Sequence, residues 1–191
     1  DISEYDVGAC HEQAMEQIDV YGTYVEEVIG ISRNEFFNAG ILLLNTKAIR
    51  DFGVLDKFVY YLGVYDFIVT QDEDYLNLVC KDRVLWLDQK WNTELIEFFN
   101  YDYDIAEASI LHYIMVNKPW HYHNCRGADI FWKYAKMTSV YDLLTDELEK
   151  YTDEERKRDA ESADNLCQMA IDETAREDSF YKIWKDKLPL I

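Results

Sequence analysis

Residues 36–45, Phe-Phe-Asn-Ala-Gly-Ile-Leu-Leu-Leu-Asn, are an almost unbroken apolar run. A strand covered on one face alternates apolar with polar side chains. A continuous run reads as a strand buried on both faces, the kind found in sheets sandwiched between helices. The flanking patterns agree. Residues 11–29 read as mostly helical, closing at Gly30, since glycine takes the left-handed terminating conformation cheaply. Thr46 reads as the N-cap of a short helix, and residues 53–64 as another. Gln71-Asp72-Glu73-Asp74 opens a further helix, with acidic side chains placed favourably beside its dipole. Residues 84–87 and 108–113 read as short strands, and Ile130, Phe131, Tyr134 and Ala135 continue the three-to-four spacing of a helix from Asp129 onward. Strands mixed with helices around one doubly buried strand predict an α/β fold.

Composition sets the outer limits. The chain has 191 residues, 49% of them hydrophobic, which is enough for one domain with a true core. No apolar run approaches the roughly 20 residues of a membrane span. The net charge of −19 disfavours a nucleic-acid partner and simple electrostatic docking on anionic lipid. Cys10, Cys80, Cys125 and Cys167 are widely spaced and form no C-x-x-C pair, so they read as free thiols in a reducing cytoplasm. Residues 145–178 are dense in Asp and Glu and read as solvent-facing helices, with an amphipathic thread at Ala163, Leu166, Cys167 and Ala170. The apolar Phe180–Trp184 segment is expected to fold back onto the body.

Three segments carry chemistry when read together. They are Phe37-Asn38-Ala39-Gly40 before an apolar strand, Gln71-Asp72-Glu73-Asp74-x-Leu76-Asn77 at a helix start, and His112-Tyr113 with Lys118-Pro119-Trp120 after a strand. A neutral imidazole ligates divalent ions, and a lysine neutralises a diphosphate. Singly, each residue has a plainer reading: His112 structural, Lys118 on the surface, Asn38 a turn residue, Asp72 an N-cap, Glu73 a dipole complement, Trp120 core.

In this order and spacing the segments resemble glycosyltransferase family 8, whose pattern runs F-N-[AS]-G, then D-Q-D-x-L-N, then H-[YF]-x-G-x-x-K-P-W. Residues 87–92, Leu-Asp-Gln-Lys-Trp-Asn, also resemble the family, and the resemblance covers about residues 1–135. It implies a partial GT-A-like (Rossmann-like) nucleotide-sugar transferase domain over residues 1–140, followed by a helical acidic tail over 141–191. It implies a retaining hexosyltransferase, cytoplasmic, taking a UDP-hexose donor to a glycan acceptor in lipopolysaccharide or cell-surface polysaccharide synthesis. By the same resemblance His112 ligates the metal (Mn2+ or Mg2+), Lys118 contacts the diphosphate, Asn38 and Ala39 line the sugar pocket, and Asp72 and Glu73 act at the reacting carbon. A metal ion and a lysine would stabilise the departing diphosphate, and carboxylates the cationic sugar.

The chain departs from the pattern in three places. Glu73 stands where many members have Gln, and Met115 where the pattern has Gly. The family's Asp-x-Asp metal motif lies upstream of anything here, and residues 1–9 resemble the segment just after it. The expectation is therefore a C-terminal part of the enzyme, whose metal needs that motif. Its completing partner would be a missing N-terminal half, with a homo-oligomer as a further candidate. Asp72-x-Asp74 and Asp102-x-Asp104 have the motif's spacing, but the first belongs to the helix start and the second reads as a surface turn. His121, His123 and Cys125 alternate in a way that suits zinc, yet no fourth ligand stands near. The competing functional reading is a non-catalytic carbohydrate- or protein-binding module derived from such an enzyme; a third is a fragment without independent function.

Overall fold

The computed structural model describes residues 1–185, which form two compact units. Of the described residues, the first comprises 1–89 together with 166–185; the second is Lys90–Asn165.

The first unit is built on a three-stranded sheet of order β2-β1-β3, from β1 (Val7–Ala9), β2 (Leu43–Leu44) and β3 (Val84–Trp86). Strand β1 runs antiparallel to β2, with Val7 opposite Leu44, and parallel to β3, with Ala9 opposite Trp86. The doubly buried strand is β1, not the 36–45 run. Val7 and Ala9 are 2% and 0% exposed, while Leu43 and Leu44 are each 51% exposed on the sheet's edge. The run breaks because its first half is spent elsewhere. Phe36 and Phe37 are buried in two different clusters, and Asn38 N–H donates to the Cys10 carbonyl at 3.1 Å.

Residues 11–29 are mostly helical, as expected, but the helix comes in pieces. Helix α1 (Gln13–Gln17) ends at Ile18, which is extended (φ −114°, ψ 106°), and α2 (Asp19–Tyr24) then runs into a π-helical turn, Val25–Ile29. Pieces this short hold no helical structure alone; burial of Met15, Tyr24, Val25, Val28 and Ile29 fixes them. Gly30 ends the turn as expected (φ 83°), and a Cβ there would lie 2.3 Å from the Tyr181 ring. Asn45, rather than Thr46, caps α3 (Thr46–Asp51), accepting from Ala48 N–H at 3.1 Å. Helices α4 (Val54–Leu62) and α5 (Asp72–Cys80) lie within the expected segments.

In the second unit β4 (Thr93–Glu94) pairs in parallel with β5 (Leu111–His112). The strand expected over 108–113 shrinks to two residues, since Ile105–Glu107 is a 3-10 turn and Ser109 and Ile110 donate to the Lys90 carbonyl. Helices α6 (Ala128–Ala135) and α7 (Tyr141–Lys150) follow.

The long α8 (Asp153–Ala175) is mostly exposed, as its composition predicts, but its last turns are not. Leu166 and Ala170 pack into the first unit's core, and buried Glu173 accepts from Tyr65 at 2.5 Å and Arg176 at 2.8 Å. Helix α9 (Phe180–Trp184) does fold back: Phe180 is fully buried, edge-on to Tyr61, Tyr65 and Phe67 at 5.2–5.9 Å.

Candidate active site

Beyond the carboxyl ends of β1 and β3, the first unit gathers carboxylates and amides from three sequence segments. Glu12 caps α1, one oxygen accepting from Ala14 N–H at 2.9 Å. Its other oxygen accepts from the Asn38 side-chain amide, whose own oxygen takes the Gly40 N–H at 2.9 Å. Glu73, from the first turn of α5, accepts the Ala39 N–H at 2.7 Å. Asn38, Ala39 and Glu73 are thus brought together, and Glu12 joins them. Asp72 is exposed at the start of α5.

Two devices hold this arrangement. Asn77, fully buried one helical turn after Glu73, clamps Phe37 with both ends of its amide. Its oxygen takes the Phe37 N–H at 2.8 Å, and its nitrogen donates to the Phe37 carbonyl at 2.8 Å and the Glu73 carbonyl at 3.0 Å. Asp74 ties down the turn before α5, accepting from Thr70 N–H at 3.1 Å, Thr70 Oγ1 at 2.5 Å and Tyr24 at 2.9 Å. Between them Gln71 sits at φ 54°, ψ −113°, a conformation side chains rarely adopt.

Electrostatics follow from the crowding. Burial and the neighbouring Glu12 carboxylate push the Glu73 carboxyl well above its ordinary range, and only partly does the Ala39 N–H offset this. Burial raises Asp74 to about 6 against its hydrogen bonds. Glu73 is therefore a carboxyl that takes a proton readily until a positive charge arrives beside it.

The second unit holds the basic residues. His112 ends β5, and its Nδ1 lies 2.9 Å from Asn92 Oδ1; with that oxygen accepting, the proton is on Nδ1 and the Nε2 lone pair remains for a ligand. Lys118 donates to the carbonyl of Tyr113, the residue after His112. Burial, then the Lys118 charge, lowers the His112 pKa, and burial lowers that of Lys118. The two groups are within electrostatic reach. Met115, where the family pattern has glycine, keeps a glycine-like backbone (φ 52°), with its side chain exposed.

Among the described residues, no three His, Cys, Asp or Glu side chains converge to hold a metal. The residues present therefore supply one oriented imidazole and do not make a metal site. The zinc arrangement does not form either. His121 stacks on Tyr151 at 3.9 Å and faces Glu147 at 3.7 Å, while His123 and Cys125 line an open cleft of about 590 Å³. Asp104 caps the 3-10 turn through Ala106 N–H at 3.0 Å, a turn role rather than a ligand's.

The sequence reading assigned no role to Glu12, Asn77 or Asn92. Asn77 and Asn92 stood inside quoted motifs. Nothing in the sequence marked Glu12.

The model of glycosyl transferase family 8 matches residues 1–124. The chain belongs to this family. Among family relatives, a putative glycosyltransferase of Haemophilus influenzae is 29% identical over 153 residues, covering 75% of this chain and 45% of the relative. The lipopolysaccharide glucosyltransferase WaaO of Escherichia coli is 31% identical over 106 residues, 49% of this chain and 30% of its own length. The chain thus spans less than half the length of these curated relatives. The apo structure of the bifunctional glycosyltransferase WbbM superposes with a TM-score of 0.66 at 19% identity, covering 77% of this chain and 30% of that one. The fold is accordingly α/β and GT-A-like. No helix among the described residues is long and apolar enough to cross a membrane.

Proposed function

We propose that this family 8 chain serves the retaining transfer of a hexose from a UDP-hexose to a glycan acceptor, in lipopolysaccharide or cell-surface polysaccharide synthesis. The observation that carries the reading is the junction of Glu12, Asn38, Ala39 and Glu73 at the carboxyl ends of the parallel strands, where sheets of this kind bind ligands. Asn38 and Ala39 line the sugar pocket. Asp72 and Glu73 face the anomeric carbon as its bond to the diphosphate oxygen breaks. The positive charge arising on the carbon favours the ionised form of Glu73, whose proton passes to solvent, and the carboxylate stabilises the carbon from the side opposite the leaving group.

Lys118 neutralises the departing diphosphate. His112 is one ligand of a divalent ion, manganese or magnesium, whose other ligands come from outside the described residues; when bound, such an ion supplies charge stabilisation to the leaving group. The kinship with a lipopolysaccharide glucosyltransferase supports the choice of acceptor. Among the described residues no two cysteines are joined in a disulfide, which supports a cytoplasmic setting.

The deciding experiment is UDP release from UDP-glucose and UDP-galactose with manganese, by the full-length protein containing this chain and by its Glu73→Ala variant, with the anomeric configuration of the product read by NMR. Release by the full-length protein, reduced at least about a hundredfold by the substitution, is expected. Equal turnover in Glu73→Ala overturns the role of Glu73. Glycan binding without any release moves the chain to the non-catalytic module.

A further inference from the structure

The same strand ends carry a feature that the transfer chemistry leaves unused. Trp86 ends β3 and pairs in register with Ala9, the end of β1. Two residues beyond Ala9, the His11 ring lies flat on the indole, with centroids 4.0 Å apart and planes 3° from parallel. Three further contacts lock the two chain ends together: Leu87 N–H to the Ala9 carbonyl at 2.9 Å, Cys10 Sγ to the Asp88 carbonyl at 3.3 Å, and the Gln89 amide to the His11 carbonyl at 3.1 Å. Yet Trp86 remains 36% exposed.

We propose that Trp86, stiffened by His11, is a platform for a neutral pyranose ring of the acceptor glycan; the acceptor role rests on the transferase reading above. A single exposed tryptophan is ordinary. One held flat against a second ring, at the carboxyl edge of parallel strands, is a preformed apolar surface that loses little freedom when covered. A pyranose presents a face of C–H groups to such a surface and hydroxyls around its rim. Hydroxyls need carboxylate or amide partners, and Glu12, the next residue after His11, holds the Asn38 amide. The neighbouring carboxylates and the net charge of −19 select a neutral sugar over an acidic one.

The test is saturation-transfer NMR on the whole chain, with methyl β-galactopyranoside and methyl α-glucopyranoside as probes and UDP-hexose hydrolysis followed in parallel. Ring C–H protons of at least one glycoside should receive saturation, with an intermolecular contact to the indole resonances that vanish in Trp86→Phe. Trp86→Ala should weaken binding at least about tenfold, and Trp86→Phe by no more than about threefold. The indole contact decides the matter even where Trp86→Ala does not fold. No saturation in the native chain, saturation without an indole contact, or equal binding by a folded Trp86→Ala overturns the platform. Binding through Trp86, with no hydrolysis by the full-length protein in the presence of manganese, leaves a sugar platform and removes the transferase reading. Hydrolysis with binding indifferent to Trp86 does the reverse.

Discussion

The acidic region of the first unit and the basic region of the second solve different problems. Around Glu73 the side chains restrain one another: Glu12 holds Asn38, Asn77 clamps Phe37, and Ala39 holds Glu73, much of it away from water. Around His112, each basic group has one named contact and remains partly exposed, His112 to Asn92 and Lys118 to the Tyr113 carbonyl. The first region has its geometry set by the fold before any ligand arrives. The second has its charge tuned and keeps capacity to bind: a ring nitrogen on His112 and two further ammonium protons on Lys118. Buried networks of the first kind are held in place by their hydrogen bonds and are sensitive to the loss of one.

The sharpest way to break the comparison is at Asn77. Asn77→Ala strips partners from the buried N–H and carbonyl of Phe37 together. A loss of about 2–4 kcal/mol is expected, read as a lower urea midpoint with an unchanged slope. A loss below about 1 kcal/mol would mean that the acidic region is no more rigid than the basic one.

Next in size is a pH effect at Glu73. Its folded pKa is raised, so the stability it contributes is complete below the ordinary glutamate range and is lost as pH rises through the folded value. Glu73→Gln mimics the protonated side chain, and its amide oxygen still accepts the Ala39 N–H. The variant should gain on the native chain as pH rises above 5, by at most about 1.4 kcal/mol per pH unit, in parallel thermal melts. Asp74, raised to about 6, adds the same sign of pH dependence to both proteins, and its charge is one of the causes that raise Glu73. A gap that closes as pH rises would show that Glu73 is stabilised as an anion.

A smaller effect tests the second unit's backbone. Met115 holds a left-handed conformation (φ 52°) with its side chain exposed, which costs an ordinary residue about 1 kcal/mol or more. Met115→Gly removes that strain while increasing the freedom of the unfolded chain. The net gain expected is about 0.5 kcal/mol, read as a slightly higher melting temperature. A loss would place Met115 among packing residues.

These contrasts also explain what the sequence disclosed. Helices α4 and α5, the stop at Gly30 and the return of Phe180 were legible because each rests on local signals: periodicity, a terminator, an apolar cluster. Strand β4 was not, since Thr93-Glu94 has no alternation to detect and is buried by its pairing with β5. Residues 36–45 misled because apolar content does not say where burial occurs: Phe36 and Phe37 are core, while Leu43 and Leu44 stand exposed on an edge. Asn38, Ala39 and Glu73 were singled out through motif order. The carboxylate that joins them was not, because Glu12 meets Asn38 across 26 residues, a contact only folding creates.

The smallest expected effect bears directly on the tuning assigned to the basic region. His112 should titrate below the ordinary histidine value, chiefly from burial and secondarily from the Lys118 charge. Lys118→Met keeps most of the aliphatic stem and deletes the charge. It should raise the His112 pKa while leaving it below the ordinary histidine value, because burial is the larger cause, followed by NMR of the imidazole ring protons. The sign follows from charge: a neighbouring cation disfavours the imidazolium, so its removal makes protonation easier. High salt should shrink the difference if the ammonium acts through solvent. A His112 pKa unmoved by the substitution would mean that the two groups do not share an electrostatic environment. The imidazole and the ammonium would then have to be recruited separately, and a single diphosphate-centred site would lose its main support in the second unit.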